Sequence, residues 1–130
     1  MAKGSSLASH ALALLRIVAG FTFTLHGLQK FGALGGLGGK AAAAYSLLWV
    51  AGVIEVIGGP LIILGLFTRP VALLLCGEMA VAYFMVHNRM GFWPLLNGGE
   101  ITVLYCFLFL YLVTAGPGAF SLDGAVRKKA

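Results

Sequence analysis

Four ionisable side chains stand inside long apolar runs of this sequence: Arg16, His26, Glu55 and Glu78. A charge near the centre of a bilayer costs about 2.5–3.5 kcal/mol on insertion scales, so such groups turn inward and find partners. Counting about 1.5 Å per residue from the cytoplasmic helix ends places Arg16 about 10 Å deep, Glu78 about 12 Å and Glu55 about 16 Å. The spacing therefore predicts an Arg16–Glu55 or Arg16–Glu78 ion pair. Two carboxylates beside one guanidinium in a low dielectric do not both stay ionised, so one holds a proton. That is proton-holding chemistry. The plain alternatives are an ion pair that only fixes helix registry and a hydrogen-bonded neutral carboxyl at Glu78.

A second group is expected toward the outer side: His26, Lys30, His87, Asn97 and Glu100. Histidine takes up or releases a proton near neutral pH. His87 follows Glu78 by nine residues and points the opposite way on a straight helix. It joins the group only if the helix ends near Asn88 and Arg89. Interfacial hydrogen bonding for the histidines, and favourable charge in a first helical turn for Glu100, are the plain readings. No ligand spacing supports a metal or haem site. Cys76 and Cys106 are not part of a CxxC and read as small buried apolar residues. Disulfide exchange there would need an exposed, activated thiolate.

The elements that carry these residues follow from composition. The chain has 130 residues, 60% hydrophobic and only 10% charged, with a mean hydropathy of +0.97. A soluble domain is about one-quarter charged. Lipid is the solvent in which so few polar groups suffice. Four runs approach the roughly 20 apolar residues that a spanning helix needs: residues 9–29, 42–66, 70–88 and 98–116. The expectation is an all-α integral membrane protein, one four-transmembrane-helix bundle over 1–130 with a short basic tail, 119–130. The first run is not a typical signal peptide. It holds Arg16 and His26 and lacks a small-residue cleavage site.

At about 100° per residue, Arg16, Gly20, Phe23, Gly27 and Lys30 fall on one stripe of the first span, with His26 at its edge. In the second, Gly52, Glu55, Gly59 and Ile62 share a face, and Pro60 should kink the helix. The glycine-rich stretch 32–40 lacks the GK[ST] ending of a phosphate loop and reads as a flexible outer loop. Phe92 and Trp93 suit an interfacial aromatic belt, and Asn97 could cap the last span. With four spans, Lys3, Arg69, Arg127, Lys128 and Lys129 lie on one side and Lys30, Lys40 and Arg89 on the other. The positive excess puts both termini in the cytoplasm. The tail suits an anionic lipid surface. It is too short for a nucleic-acid face.

Several pieces together resemble the DoxX family of small bacterial membrane proteins over nearly the whole chain. They are Arg16, Gly20, His26, Gly27 and Lys30; then Glu55, Gly58, Gly59, Leu64, Gly65 and Thr68; then His87 with Gly91 and Phe92. Asn97-Gly98-Gly99-Glu100, Gly116-Pro117-Gly118 and Ser121-Leu122-Asp123 complete the series. The resemblance implies a four-helix membrane bundle. The sequence is also similar to the DoxD subunit of thiosulfate:quinone oxidoreductase, which implies contact with membrane quinone. It lacks the soluble portion that would supply a thiosulfate site.

The expected function is a quinone-interacting subunit or enzyme of the bacterial inner membrane. Glu55, Glu78 and His26 are the candidate catalytic groups. Arg16, Lys30, His87 and Glu100 are the candidate cofactor-binding groups, the cofactor being a quinone. Expected partners are lipid, membrane quinone, a soluble redox enzyme and further copies of the chain. The competing expectations are a non-catalytic membrane scaffold for a soluble redox enzyme and a small transporter.

Overall fold

The computed structural model describes residues 4–129. Lys3, counted above with the cytoplasmic flank, lies outside them. The described chain is helical: α1 (Gly4–Lys30), α2 (Leu47–Leu64), α3 (Thr68–Met85), α4 (Pro94–Asn97), α5 (Glu100–Ala115) and α6 (Leu122–Lys129). Short 3-10 turns cover Ala33–Gly35 and His87–Met90. It divides into two compact units. One runs to Thr68 and resumes at Pro117; the other is Arg69–Gly116.

In the first unit α1 and α2 run antiparallel. The expected stripes are the buried faces: Arg16, Gly20, Phe23 and Gly27 on α1, and Gly52, Glu55, Gly59 and Ile62 on α2. Small residues let the backbones approach closely. A methyl group on Gly27 would lie 2.8 Å from both the Val56 nitrogen and the Glu55 Cβ. α1 begins at Gly4, earlier than the apolar run suggested, because Ser6, Ser9 and His10 are polar but helix-compatible. Ser46 opens α2 by accepting a hydrogen bond from the Trp49 amide at 3.2 Å. Pro60 is accommodated inside α2 without ending it. Gly65 closes α2 in the left-handed conformation, φ 64°, which a glycine adopts without strain.

In the second unit α3 and α5 also run antiparallel. Arg69, at the start of α3, donates to the Val113 and Thr114 carbonyls at the end of α5. Thr102, near the start of α5, meets His87 just beyond α3.

Leu73, Leu74, Val81 and Phe84 of α3 and Ile101, Leu104 and Phe107 of α5 are exposed. Apolar exposure on this scale is what a lipid-facing surface requires. Residues 6–30, 47–64 and 68–90 are long and apolar enough to cross a membrane. α5 is apolar but has 16 residues. At about 1.5 Å per residue it spans about 24 Å, short of a hydrocarbon core of about 30 Å. Three helices of spanning length and one shorter apolar helix thus stand where four similar spans were expected.

Candidate functional site

An ion pair joins α1 and α2. Lys30 Nζ donates to Glu55 Oε2 at 2.7 Å, with the Glu55 side chain 3% exposed and that of Lys30 15%. Lys30 Nζ also reaches the His26 carbonyl at 3.4 Å. Both partners stand where glycines let the helices approach closely, with Gly27 against Glu55 and Gly52 against the Lys30 stem. An ammonium carries three donors, and two have partners among the described residues. The third hydrogen, on a group that is not sealed off, could bind the carbonyl oxygen of an apolar guest. Glu55 beside it could accept or return a proton. The His26 side chain is exposed, at the edge of the stripe as expected.

Arg16 corrects the sequence reading. It does not pair with Glu55. Its guanidinium, fully buried, donates to three backbone carbonyls: Ile62 at 3.3 Å, Ala119 at 3.3 Å and Phe120 at 2.9 Å. The error was one of register. Depths counted from separate helix ends placed Arg16 near Glu55, but the antiparallel packing sets Glu55 against Gly27 and Gly65 against Arg16. The eleven positions from Arg16 to Gly27 are about 16 Å along α1. Asp123 completes this end of the unit. Its carboxylate accepts from the Phe67 amide at 2.8 Å and the Thr68 amide at 2.9 Å, and its own amide donates to the Gly65 carbonyl at 2.9 Å. Burial alone would raise the Asp123 carboxyl. The hydrogen bonds from Thr68 and Phe67, and the positive charge of Arg127, outweigh that and hold it below the usual carboxylate range.

The second unit gathers a different set. α3 ends at Met85, and this lets His87 turn: Nδ1 lies 3.1 Å from the Asn97 carbonyl and Nε2 lies 3.3 Å from Thr102 Oγ1. Buried Asn97 donates to Tyr83 Oη at 3.1 Å and to the Gly91 carbonyl at 2.8 Å, and accepts from the Gly99 amide at 2.8 Å. Tyr83 Oη in turn donates to the Phe92 carbonyl. So Asn97 organises the whole loop, whereas the N-cap position of α5 is Gly99. Glu100 is exposed in the first turn of α5. Glu78 is half-buried on α3, with both carboxyl oxygens shielded from solvent. Of the proposed outer group, His87 and Asn97 meet in this unit and Lys30 sits beside the His26 backbone in the other. The sequence reading missed Tyr83 and Thr102. Tyr83 is four residues before His87, one helical turn, which was a usable signal; Thr102 carried none.

These features define a helical membrane protein with an ion pair enclosed between its first two spans. Residues 11–88 match the DoxX family model, and the chain belongs to the DoxX family. An uncharacterized protein of Haemophilus influenzae is 49% identical over 91% of this chain and 92% of its own length. A Bacillus subtilis protein named "Putative oxidoreductase CatD" is 30% identical over 88% of this chain and 86% of its own. An uncharacterized membrane protein of Mycobacterium tuberculosis is 29% identical, covering 89% and 81%. No solved structure matches significantly.

Proposed function

We propose that this chain is a quinone-interacting redox protein of the bacterial inner membrane, with both termini cytoplasmic, acting as an enzyme or as a subunit of one. The observation that carries the reading is the Lys30–Glu55 pair, an ammonium with a hydrogen to spare inside an apolar shell. A quinone needs an apolar approach, a donor for a carbonyl oxygen and a group that exchanges protons. In this reading Lys30 orients the head group, Glu55 handles its proton, and His26 lies on the exposed edge of the same helix. His87 and Glu100 are secondary candidates on the other unit, and Glu78 a candidate proton-holding carboxyl. Arg16 has a structural part in this reading, its terminal nitrogens donating to the Ile62, Ala119 and Phe120 carbonyls at the far end of α1 from Lys30. The oxidoreductase name of the Bacillus subtilis relative supports a redox role.

The test is direct. Purify the chain from membranes in mild detergent, extract with organic solvent and assay quinone, comparing wild type with Lys30→Met. Quinone in the first and its loss from the folded variant are the expected results. A wild-type extract free of quinone, together with no binding of added decylubiquinone, would leave the scaffold role instead.

A further inference from the structure

Cys76 and Cys106 are the two cysteines of the chain, thirty residues apart, and each lies near the middle of its helix, α3 or α5. Their sulfurs are 3.8 Å apart. Cys106 Sγ also lies 3.5 Å from the Cys76 carbonyl oxygen, so the α5 thiol sits directly against the α3 backbone at its partner residue. Both thiols are free and half-buried. A disulfide bond is about 2.05 Å long, so the sulfurs must close by less than 2 Å, within reach of side-chain rotation on facing helices.

Their surroundings decide what could react with them. Leu75 and Met79 beside Cys76, and Tyr105 and Phe109 beside Cys106, are buried. Leu73, Leu74, Leu104 and Phe107 are exposed on the same helices. The thiols thus lie on the border between the packed face and the face turned to lipid. A water-borne oxidant must cross a mostly apolar surface to reach them. A lipid-soluble one does not have that barrier.

We propose that Cys76 and Cys106 form a membrane-embedded dithiol that passes two electrons to a quinone. Both S–H bonds break and one S–S bond forms. Two electrons and two protons leave the thiols, and the carbonyl oxygens of the quinone receive them as the two hydroxyls of a quinol. This rests on the quinone reading above and adds to it an electron-carrying site within the chain.

The test uses the full chain in nanodiscs, reduced, freed of reductant and mixed anaerobically with decylubiquinone. Intact mass and maleimide labelling report the thiols, and absorbance reports quinol. The expected result is a mass loss of two hydrogens, loss of both labels and about one quinol per chain. Cys76→Ser and Cys106→Ala, checked for helicity, should each abolish quinol formation. Binding of quinone with both thiols still labelled would overturn this proposal and leave the quinone reading standing. Disulfide formation with copper–phenanthroline but not with quinone would overturn it as well. Quinol formed equally by the folded single variants would have the same force.

Discussion

Lys30 Nζ stands 2.7 Å from Glu55 Oε2, while Arg16, on the same stripe of α1, donates to the backbone carbonyls of Ile62, Ala119 and Phe120. The two cations thus have different tasks. Removing one partner of a buried pair leaves the other charge uncompensated, which costs about 3 kcal/mol or more. Lys30→Met should lower stability by that order in denaturing-detergent titrations followed by helicity. Adding Glu55→Gln should recover at least half of the loss. If the double variant is no better than the single one, the pair is not coupled.

Arg16 holds together two chain segments far apart in sequence. Arg16→Leu strips the part-buried Ala119 and Phe120 carbonyls of their donor, at about 1 kcal/mol for each bond lost. Lysine lacks the planar fork, so Arg16→Lys should recover little. Combining Arg16→Leu with Glu55→Gln should be additive within about 0.5 kcal/mol, as for sites without shared partners. Coupling beyond that range, read from the same titrations, would return Arg16 to the Glu55 site.

Helix faces were legible in this sequence and helix register was not. The stripe from Arg16 to Lys30 and the Gly52–Ile62 face follow from a 3.6-residue period, and both turn inward as expected, with Arg16, Gly20, Phe23 and Gly27 buried and Lys30 partly so. Period says nothing about which turn of one helix meets which turn of the next. That offset depends on side-chain volumes at the contact, with Gly27 admitting the backbone at Val56. Hence Arg16 was assigned the wrong partner although its inward direction was right. Asp123 shows the same limit: it is one polar residue in a polar tail until the chain returns to the Phe67 and Thr68 amides. The sulfur–sulfur approach of Cys76 and Cys106 likewise depends on an offset between helices that composition does not encode.

Asp123 makes a specific acid dependence. Its carboxyl is held below the usual value in the folded chain. Such a group contributes stability that is complete above the unfolded value, about 3.9 for aspartate, and is lost as pH falls through the lower folded value. Asp123→Asn keeps an acceptor for only one of the Phe67 and Thr68 amides, and should cost about 1 kcal/mol at neutral pH. The gap between wild type and variant should stay constant from neutral pH to about 5 and narrow below about 4. Unfolding titrations at several pH values measure it. A gap that widens in acid would contradict the assignment.

Asn97 sets the geometry of the segment between α3 and α5. Its side chain alone connects Tyr83 Oη, the Gly91 carbonyl and the Gly99 amide, and its backbone carbonyl meets His87. Buried amide donors and acceptors left without partners cost about 1–3 kcal/mol each. Asn97→Ala should therefore release the loop rather than only weaken it. Hydrogen exchange should quicken at least tenfold at the Gly99 amide, whose acceptor is the deleted Asn97 Oδ1, while α2 amides in the other unit keep their protection. Asn97→Asp is the sharper comparison. It keeps the acceptor for Gly99 but replaces the two bonds donated by Nδ2 with a carboxylate facing the Gly91 carbonyl. The variant should retain slow exchange at Gly99 and lose order around Gly91. If the Gly99 amide exchanges as in wild type in Asn97→Ala, the loop is held by something other than this side chain.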